Sequence, residues 1–451
     1  MRILIVGGSD AGISAALRAR EYAPDSTVTM LLADEYPNFS ICGIPYHLSG
    51  EVPDWRDLAH RTAADIAASG IEVRINHTVT AVDPTAKSVT ATTPDGPVEL
   101  TFDRLVIGTG ADPLRPPIAG LDSLGPADGV HLLHTMGEAR RLDADLESRG
   151  VRRVVIIGAG YIGIEMAEAL TNRGVAVAVL ERLDNVLPRT LDQQLAAEIT
   201  AELEAHGVEV RCGTTVTELR REDNGLTVVA ADGERSADAV LVVSGVKPAT
   251  ELAVASGVQL DDRGAIVVDR QMRTNLPDVW AAGDCVHTHH ALLTEPTYVP
   301  LGTTAHKQGR IAGENAAGGS KEFAGIVGTQ VVRVFERVVA ATGLRDQEAA
   351  AAGFVPFTVQ TTADDHKRYY PGATPIQIRL TGDRETGRLL GAQLVGTHGA
   401  EIAKRVDTYA VALQHGLSVE QLLDLDLAYT PPLGSPWDAI QVAAQNWLAA
   451  R

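Results

Sequence analysis

The stretch "VRRVVIIGAGYIGIEMAEAL", residues 151–170, decides the fold. An apolar run ends at a glycine turn, and a helix with small residues follows it. Gly158, Gly160 and Gly163 stand in full GxGxxG spacing. This is the βαβ dinucleotide cradle. Its first glycine permits a tight turn, its second admits a pyrophosphate, and its third lets helix and strand pack closely. The free N–H groups and positive dipole end of the helix then face the phosphates. Tyr161 and Ile162 lie within that turn. The next strand, "VAVAVLER", ends in Glu181. A carboxylate there accepts hydrogen bonds from the adenine ribose and repels a 2′-phosphate, so NADH is favoured and NADPH remains possible. The neighbouring Arg182 would soften that preference.

The chain opens on a second version of the same unit. "RILIVGGSDAGISAALRAREY" has Gly7, Gly8, Ser9, Ala11 and Gly12 between a strand and a helix, with Ser9 in place of the middle glycine. "TVTMLL" follows and ends near Asp34, an acid placed to reach a ribose, while Leu32 holds the strand end itself. Two cradles in one chain imply two dinucleotides.

Composition bounds the rest. The 451 residues suggest several domains. The net charge of −19 excludes nucleic acid and anionic membrane as partners. No apolar run reaches a membrane span, and the N-terminus is not a signal peptide, so a cytoplasmic protein is expected. Three cysteines, Cys42, Cys212 and Cys285, are too few and too scattered for a disulfide framework. "CVHTHH", residues 285–290, clusters a cysteine with three histidines, but its spacing fits no zinc pattern and no metal is expected.

The order of motifs resembles the pyridine nucleotide-disulfide oxidoreductases. "FDRLVIGTGADPLRPP", residues 102–117 with Gly110, looks like that family's crossover back from the nicotinamide domain. "TNLPDVWAAGDCV", residues 274–286, looks like its second flavin motif, with Gly283 and Asp284 at the ribityl chain. The resemblance implies FAD in the first cradle and NADH in the second, with Gly245 and Thr304 also lining cofactor. It implies an α/β chain with two Rossmann-like domains and a C-terminal α+β dimerisation domain. The FAD domain would be split between residues 1–115 and 246–322. The NAD(P)H domain would occupy 116–245, and the homodimer-forming module 323–451.

Within the family, "NFSICGIPY", residues 38–46, resembles the single-cysteine subgroup of coenzyme A-disulfide reductases, NADH oxidases, NADH peroxidases and persulfide reductases. The resemblance continues through "PLGTTAHKQGRIAGEN", "HKRYYPGATP" and "DLAYTPPLGSPWDA". It implies that Cys42 works alone beside the flavin, at a helix N-terminus with Pro45 in the first helical turn, where the helix end and the nearby cofactor together lower its thiol pKa. The acceptor would be a small disulfide, a persulfide or coenzyme A disulfide. Ser14, Arg18 and Asn38 fall where the reductases contact substrate. Tyr369 and Tyr429 match two tyrosines that enter the other subunit's site. The chain departs from the pattern in carrying Ile41 before the cysteine and Trp437 where a lysine is common. Asp10 replaces the histidine of the oxidases and peroxidases, which counts against both; His47, five residues after Cys42, reads first as an exposed loop histidine and only second as a substitute. Two alternatives stay open: an NADH oxidase or peroxidase acting through a sulfenic acid, and an electron-transfer flavoprotein of ferredoxin-reductase type.

Overall fold

A computed structural model describes residues 1–223 and 225–451. The strand Arg2–Val6 is buried from Ile3 onward and pairs in parallel with Thr27–Leu31 and Arg104–Ile107. Ile71–Arg74 extends one edge of this sheet and Val279–Ala281 the other. That last strand arrives from far along the chain, so the sheet is assembled from two separated segments. At the first turn, Gly7 has φ +106°, and a Cβ there would lie 2.0 Å from the Gly108 carbonyl oxygen. Only glycine allows the crossing.

Arg153–Ile157 repeats the arrangement. It lies in parallel between Ala176–Leu180 and Ala239–Val242, with Glu209–Arg211 and Val130–Leu132 at the edges. The two sheets are joined by an antiparallel pair, Ala111–Pro113 with Val246–Pro248. This corrects the reading of residues 102–117. Running on from Arg104–Ile107, they lead out of the first unit toward the second, and Val246–Pro248 is the return. A single crossing motif looks alike in either direction, and only the strand pairing distinguishes them.

In the first unit, helix Asp10–Tyr22 packs face to face with helix Gly302–Ala316. A Cβ at Gly309 would meet Ala11 O at 2.2 Å, and one at Gly313 would meet Ala15 O at 2.1 Å. The small residues therefore bring the backbones nearly into contact. This seam fixes the later helix above the first cradle.

The C-terminal unit is an antiparallel sheet of five strands, ordered Gln330–Val334, Arg337–Gly343, Leu389–Thr397, Pro375–Asp383 and Pro356–Asp364. Helices Ile402–Gln414 and Ala439–Ala450 cover it, with Tyr409 and Trp447 fully buried. The Trp447 indole N–H donates to Phe357 O at 2.7 Å, which satisfies its one polar atom. Ion pairs bind this unit to the second: Arg379 to Asp192 at 2.8 Å and Arg333 to Glu168 at 2.9 Å. Among the described residues, no helix is long and apolar enough to cross a membrane.

Candidate active site between the two cradles

Both cradles are shaped for a pyrophosphate. In the second, a Cβ at Gly158 or Gly163 would collide with backbone at 2.6 or 2.0 Å, whereas one at Gly160 meets nothing within 4 Å. Two glycines make the turn and the third leaves space over it. Glu181 is held at the same turn. Its Oε2 accepts from the Ala159 N–H and its Oε1 from the Leu183 N–H, both at 2.8 Å. A fixed carboxylate at the strand end fits a ribose diol. In the first cradle, a Cβ at Gly12 would lie 2.0 Å from Gly7 O, and Leu32 packs beneath Gly8. The Asp34 carboxylate accepts from the Tyr36 N–H at 3.0 Å, so it stands in a defined turn beside that strand end. Gly110 and Gly245 have φ +73° and +117° where the chain crosses between units. Gly283, at φ +90°, approaches Ala11 so closely that a Cβ would lie 2.7 Å away, and Asp284 follows it. Thr304 is buried in the first turn of helix Gly302–Ala316. The shape of each cradle fits one dinucleotide.

Cys42 lies where the cradles meet. It sits in the 3₁₀ turn Ile41–Gly43, which continues into helix Ile44–Leu48 with Pro45 in its first turn, as expected. Its loop is fastened at several points. The Asn38 N–H donates to Gly8 O at 3.1 Å, and the Ser40 N–H to Leu58 O at 2.8 Å. Tyr36, Phe39 and Trp55 form an aromatic cluster with centroids 5.6–5.8 Å apart, and the Arg140 guanidinium lies 4.4 Å over Trp55. All three cysteines are unpaired thiols. Cys42 is exposed and Cys212 half-buried, while Cys285 is enclosed by the flavin-motif strand.

The protein's own electrostatics run against the helix-end part of one expectation. A short helix end is a weak source of field, and the protein's own groups push the Cys42 thiol up. Although the residue is solvent-accessible, crowding by protein is the main cause, followed by the Glu165, Asp10 and Asp284 carboxylates. Burial raises Glu165 to about 7, aided by the Glu168 charge and opposed by a hydrogen bond from Tyr46. Burial and the Asp10 charge raise Asp284 to about 6. Glu165 and Asp284 thus titrate close to neutral pH, and with Asp10 they surround a sulfur whose thiol form they favour.

The proposed substrate contacts are placed unevenly. Ser14 faces the site on the first helix, its Oγ 2.7 Å from His306 Nδ1. Arg18 is on the same helix, but its guanidinium is held by Glu314 at 2.6 Å and Glu21 at 2.8 Å, so a phosphate would have to displace a carboxylate. Asn38 is 1% exposed and takes a left-handed φ of 55°, where its short side chain is tolerated. Its visible work is to shape the turn before Cys42. His47 bonds Val52 O through Nδ1 at 2.8 Å and turns Nε2 toward Asp143 at 3.8 Å, which anchors the helix end. Tyr369 and Tyr429 lie together on the C-terminal unit, 73% and 45% exposed, with Leu433 and Trp437 on the same surface. Among the described residues, no group of three or more His, Cys, Asp or Glu side chains is arranged to hold a metal.

Sequence reading missed Glu165, Arg333 and Gln308. Glu165 reads as an ordinary polar helix position, yet Tyr46 from the Cys42 helix bonds it. Arg333 joins Glu51, behind that helix, to Glu168. Gln308 is fully buried and accepts from the Gly283 N–H at 3.0 Å, linking the flavin motif to the later helix. A buried glutamine inside a small-residue helix was the one available signal.

Comparison with known proteins agrees with this geometry. Residues 1–309 match the model of the pyridine nucleotide-disulphide oxidoreductases, and 329–439 match the dimerisation domain of that family. An NAD(P)H sulfur oxidoreductase (CoA-dependent) of Pyrococcus abyssi is 34% identical over 98% of this chain and 97% of its own. An NADH oxidase of Methanocaldococcus jannaschii is 32% identical, covering 99% of both. The solved structure of an NAD-dependent persulfide reductase from A. fulgidus superposes with a TM-score of 0.95 at 36% identity, over 100% of this chain and 84% of that one.

The raised Glu165 generates a stability prediction. A carboxyl whose folded pKa is about 7 against an ordinary 4.5 binds more protons in the native state between those values. Stability therefore falls as pH rises through that window. Glu165→Gln removes the ionisation, so it stabilises the protein above pH ~7 by roughly 1–3 kcal/mol and has little effect near pH ~4.5. Denaturant melts of both proteins across this range check it; a pH-independent difference would show that Glu165 is not buried as described.

Proposed function

This chain belongs to the pyridine nucleotide-disulphide oxidoreductase family, and on that premise we propose that it uses NADH and FAD to reduce a small disulfide or persulfide at Cys42. That it is an NAD(P)H-dependent oxidoreductase follows from the family itself. The observation that carries the finer reading is the placement of one accessible thiol between two cradles with no second cysteine beside it. Ionised, Cys42 attacks one sulfur of the substrate; the sulfur–sulfur bond breaks, a mixed disulfide forms, and the other sulfur leaves as an anion. Bound in the two cradles, NADH and FAD supply the electron pair that returns the mixed disulfide to two thiols. Coenzyme A disulfide-like substrates are supported by what relatives are named for. The carboxylates already paired with Arg18 leave room for smaller, less anionic acceptors.

An NADH oxidase acting through a sulfenic acid is the second reading. One observation favours it: His306 Nε2 lies 3.3 Å from Asp10, so an imidazole stands beside the position that a histidine fills in the oxidases.

In the working unit we propose, two chains associate through the C-terminal module, and Tyr369 and Tyr429 of each enter the other's Cys42 site. Their exposure here, with Leu433 and Trp437, suits a face that a second copy covers. A phenol donating to the departing thiolate lowers the barrier to its release.

Anaerobic NADH consumption, compared across coenzyme A disulfide, other small disulfides, polysulfide, peroxide and then oxygen, tests the acceptor. Cys42→Ser is expected to lose about a hundredfold or more of disulfide or polysulfide turnover while NADH still bleaches the flavin. Undiminished sulfur turnover in that variant would end the proposal.

Glu181 makes NADH the better donor by about tenfold or more in kcat/KM, a difference of ~1.4 kcal/mol. Equal efficiency with NADPH would mean that a cation such as Arg182 compensates.

Subunit exchange tests the shared site. A Cys42→Ser chain mixed with a Tyr369→Phe, Tyr429→Phe chain forms hybrid dimers with one complete site, so disulfide turnover should rise above that of either parent. Wild-type turnover in the double tyrosine variant alone would remove the tyrosines from catalysis.

A further inference from the structure

Three side chains from two helices meet at the mouth of the first cradle. Asp10 opens helix Asp10–Tyr22, Ser14 lies one turn later, and His306 comes from helix Gly302–Ala316. His306 Nδ1 is 2.7 Å from Ser14 Oγ, and its Nε2 is 3.3 Å from Asp10 Oδ1. Both ring nitrogens are engaged. Nδ1 and the Ser14 hydroxyl share a hydrogen bond whose donor is set by the ring's tautomer, while Nε2 faces the carboxylate as a charge contact. The backbone is shaped around the carboxylate as well: a Cβ on Gly302 would come within 2.6 Å of Asp10 Oδ2.

This cluster stands at the glycine turn that also holds the loop of the reacting sulfur. The Cys42 loop is tied to the same turn through the Asn38 N–H and Gly8 O. Asp10 is one of the charges that push Cys42 and Asp284 up, and His306 and then His60 offset Asp10 in turn. Glu165 faces Cys42 from the second unit. Farther along the seam, Arg18 and Arg310 are already engaged by Glu314 and Glu21.

We propose that His306 is a positioning residue for chemistry at Cys42: held by Ser14 with its ring edge against Asp10, it offsets that carboxylate's charge and so governs the reactivity of the thiol. The inference rests on Cys42 being the reacting sulfur, as proposed above.

The test reads Cys42 directly and needs no acceptor. Flavin-loaded, full-length enzyme is reduced and freed of reductant. The rate of Cys42 alkylation by iodoacetamide is then followed against pH, with the modified peptide identified by mass. Asp10→Asn removes the negative charge and His306→Arg cancels it permanently. Both should move the midpoint down by about half a pH unit to one unit. His306→Gln leaves Asp10 uncompensated, so its midpoint should not fall. A merely structural role would move all three alike or none, and either result overturns the proposal. If Asp10→Asn fails to retain flavin, His306→Arg decides alone, because its position is half-exposed and an unchanged midpoint there is sufficient refutation. Normal midpoint shifts without sulfur turnover would sink the proposed reaction and leave this inference standing.

Discussion

The site depends on one packing constraint. Helix Ile44–Leu48 follows Cys42 directly, yet Ile44 and Leu48, 2% and 1% exposed, are buried in the core of the second unit with residues such as Ile164 and Met166. Each buried aliphatic side chain of this size is worth about 1.5–3 kcal/mol. The turn just before that helix hangs from the first cradle through Asn38 and Gly8. The sulfur is therefore placed by both dinucleotide units at once. Polar contacts reinforce the placement: Arg173 donates to Leu48 O at 3.3 Å while holding Asp143 at 2.6 Å, and Arg333 reaches Glu51 from the C-terminal unit. All three units converge on a five-residue helix.

The charge distribution sets a chemical condition on that placement. Burial, and then carboxyl groups from both dinucleotide units, raise Cys42 and outweigh the backbone hydrogen bond that favours its thiolate. Positive charge close by is already committed: Arg18 to Glu314 and Glu21, Arg333 to Glu51 and Glu168. An acidic site disfavours accumulation of anionic sulfur and favours its prompt protonation and release. That suits the thiol-forming reduction proposed above, in which the cysteine must be regenerated. It also explains why the groups whose pKa values rise most usefully, Glu165 to about 7 and Asp284 to about 6, lie here and not on the surface.

The cradles were legible because their physics is local. A glycine at φ +106° or +113°, flanked by an apolar strand and a small-residue helix, leaves its mark within a few positions. What stayed hidden depends on residues far apart in the chain. Ser14 meets His306, and Arg18 meets Glu314, across nearly the whole first unit. Neither pairing leaves a periodic trace. Arg18 looked available because its partner was unknown, and Asn38 looked like a contact residue because its buried, left-handed role is set by the fold. The helix-end argument for Cys42 failed differently: it counted the helix and omitted the carboxylates that folding gathers around it.

The two cradles are similar in backbone but not in what they aim at the sulfur. In the first, Asp10 is the opening residue of the helix and its charge reaches Cys42 from the flavin side. In the second, Glu165 lies one turn into the corresponding helix, Tyr161–Asn172, and reaches Cys42 from the nicotinamide side. Each is moderated by a different partner, His306 for Asp10 and Tyr46 for Glu165. A repeated unit would have no reason to place an ionisable group at this junction twice if binding a pyrophosphate were its only task, since an anion beside a phosphate site is unfavourable. The acids instead stand in the opening turns of the two cradle helices, and from there both charges reach the one thiol over which the units meet.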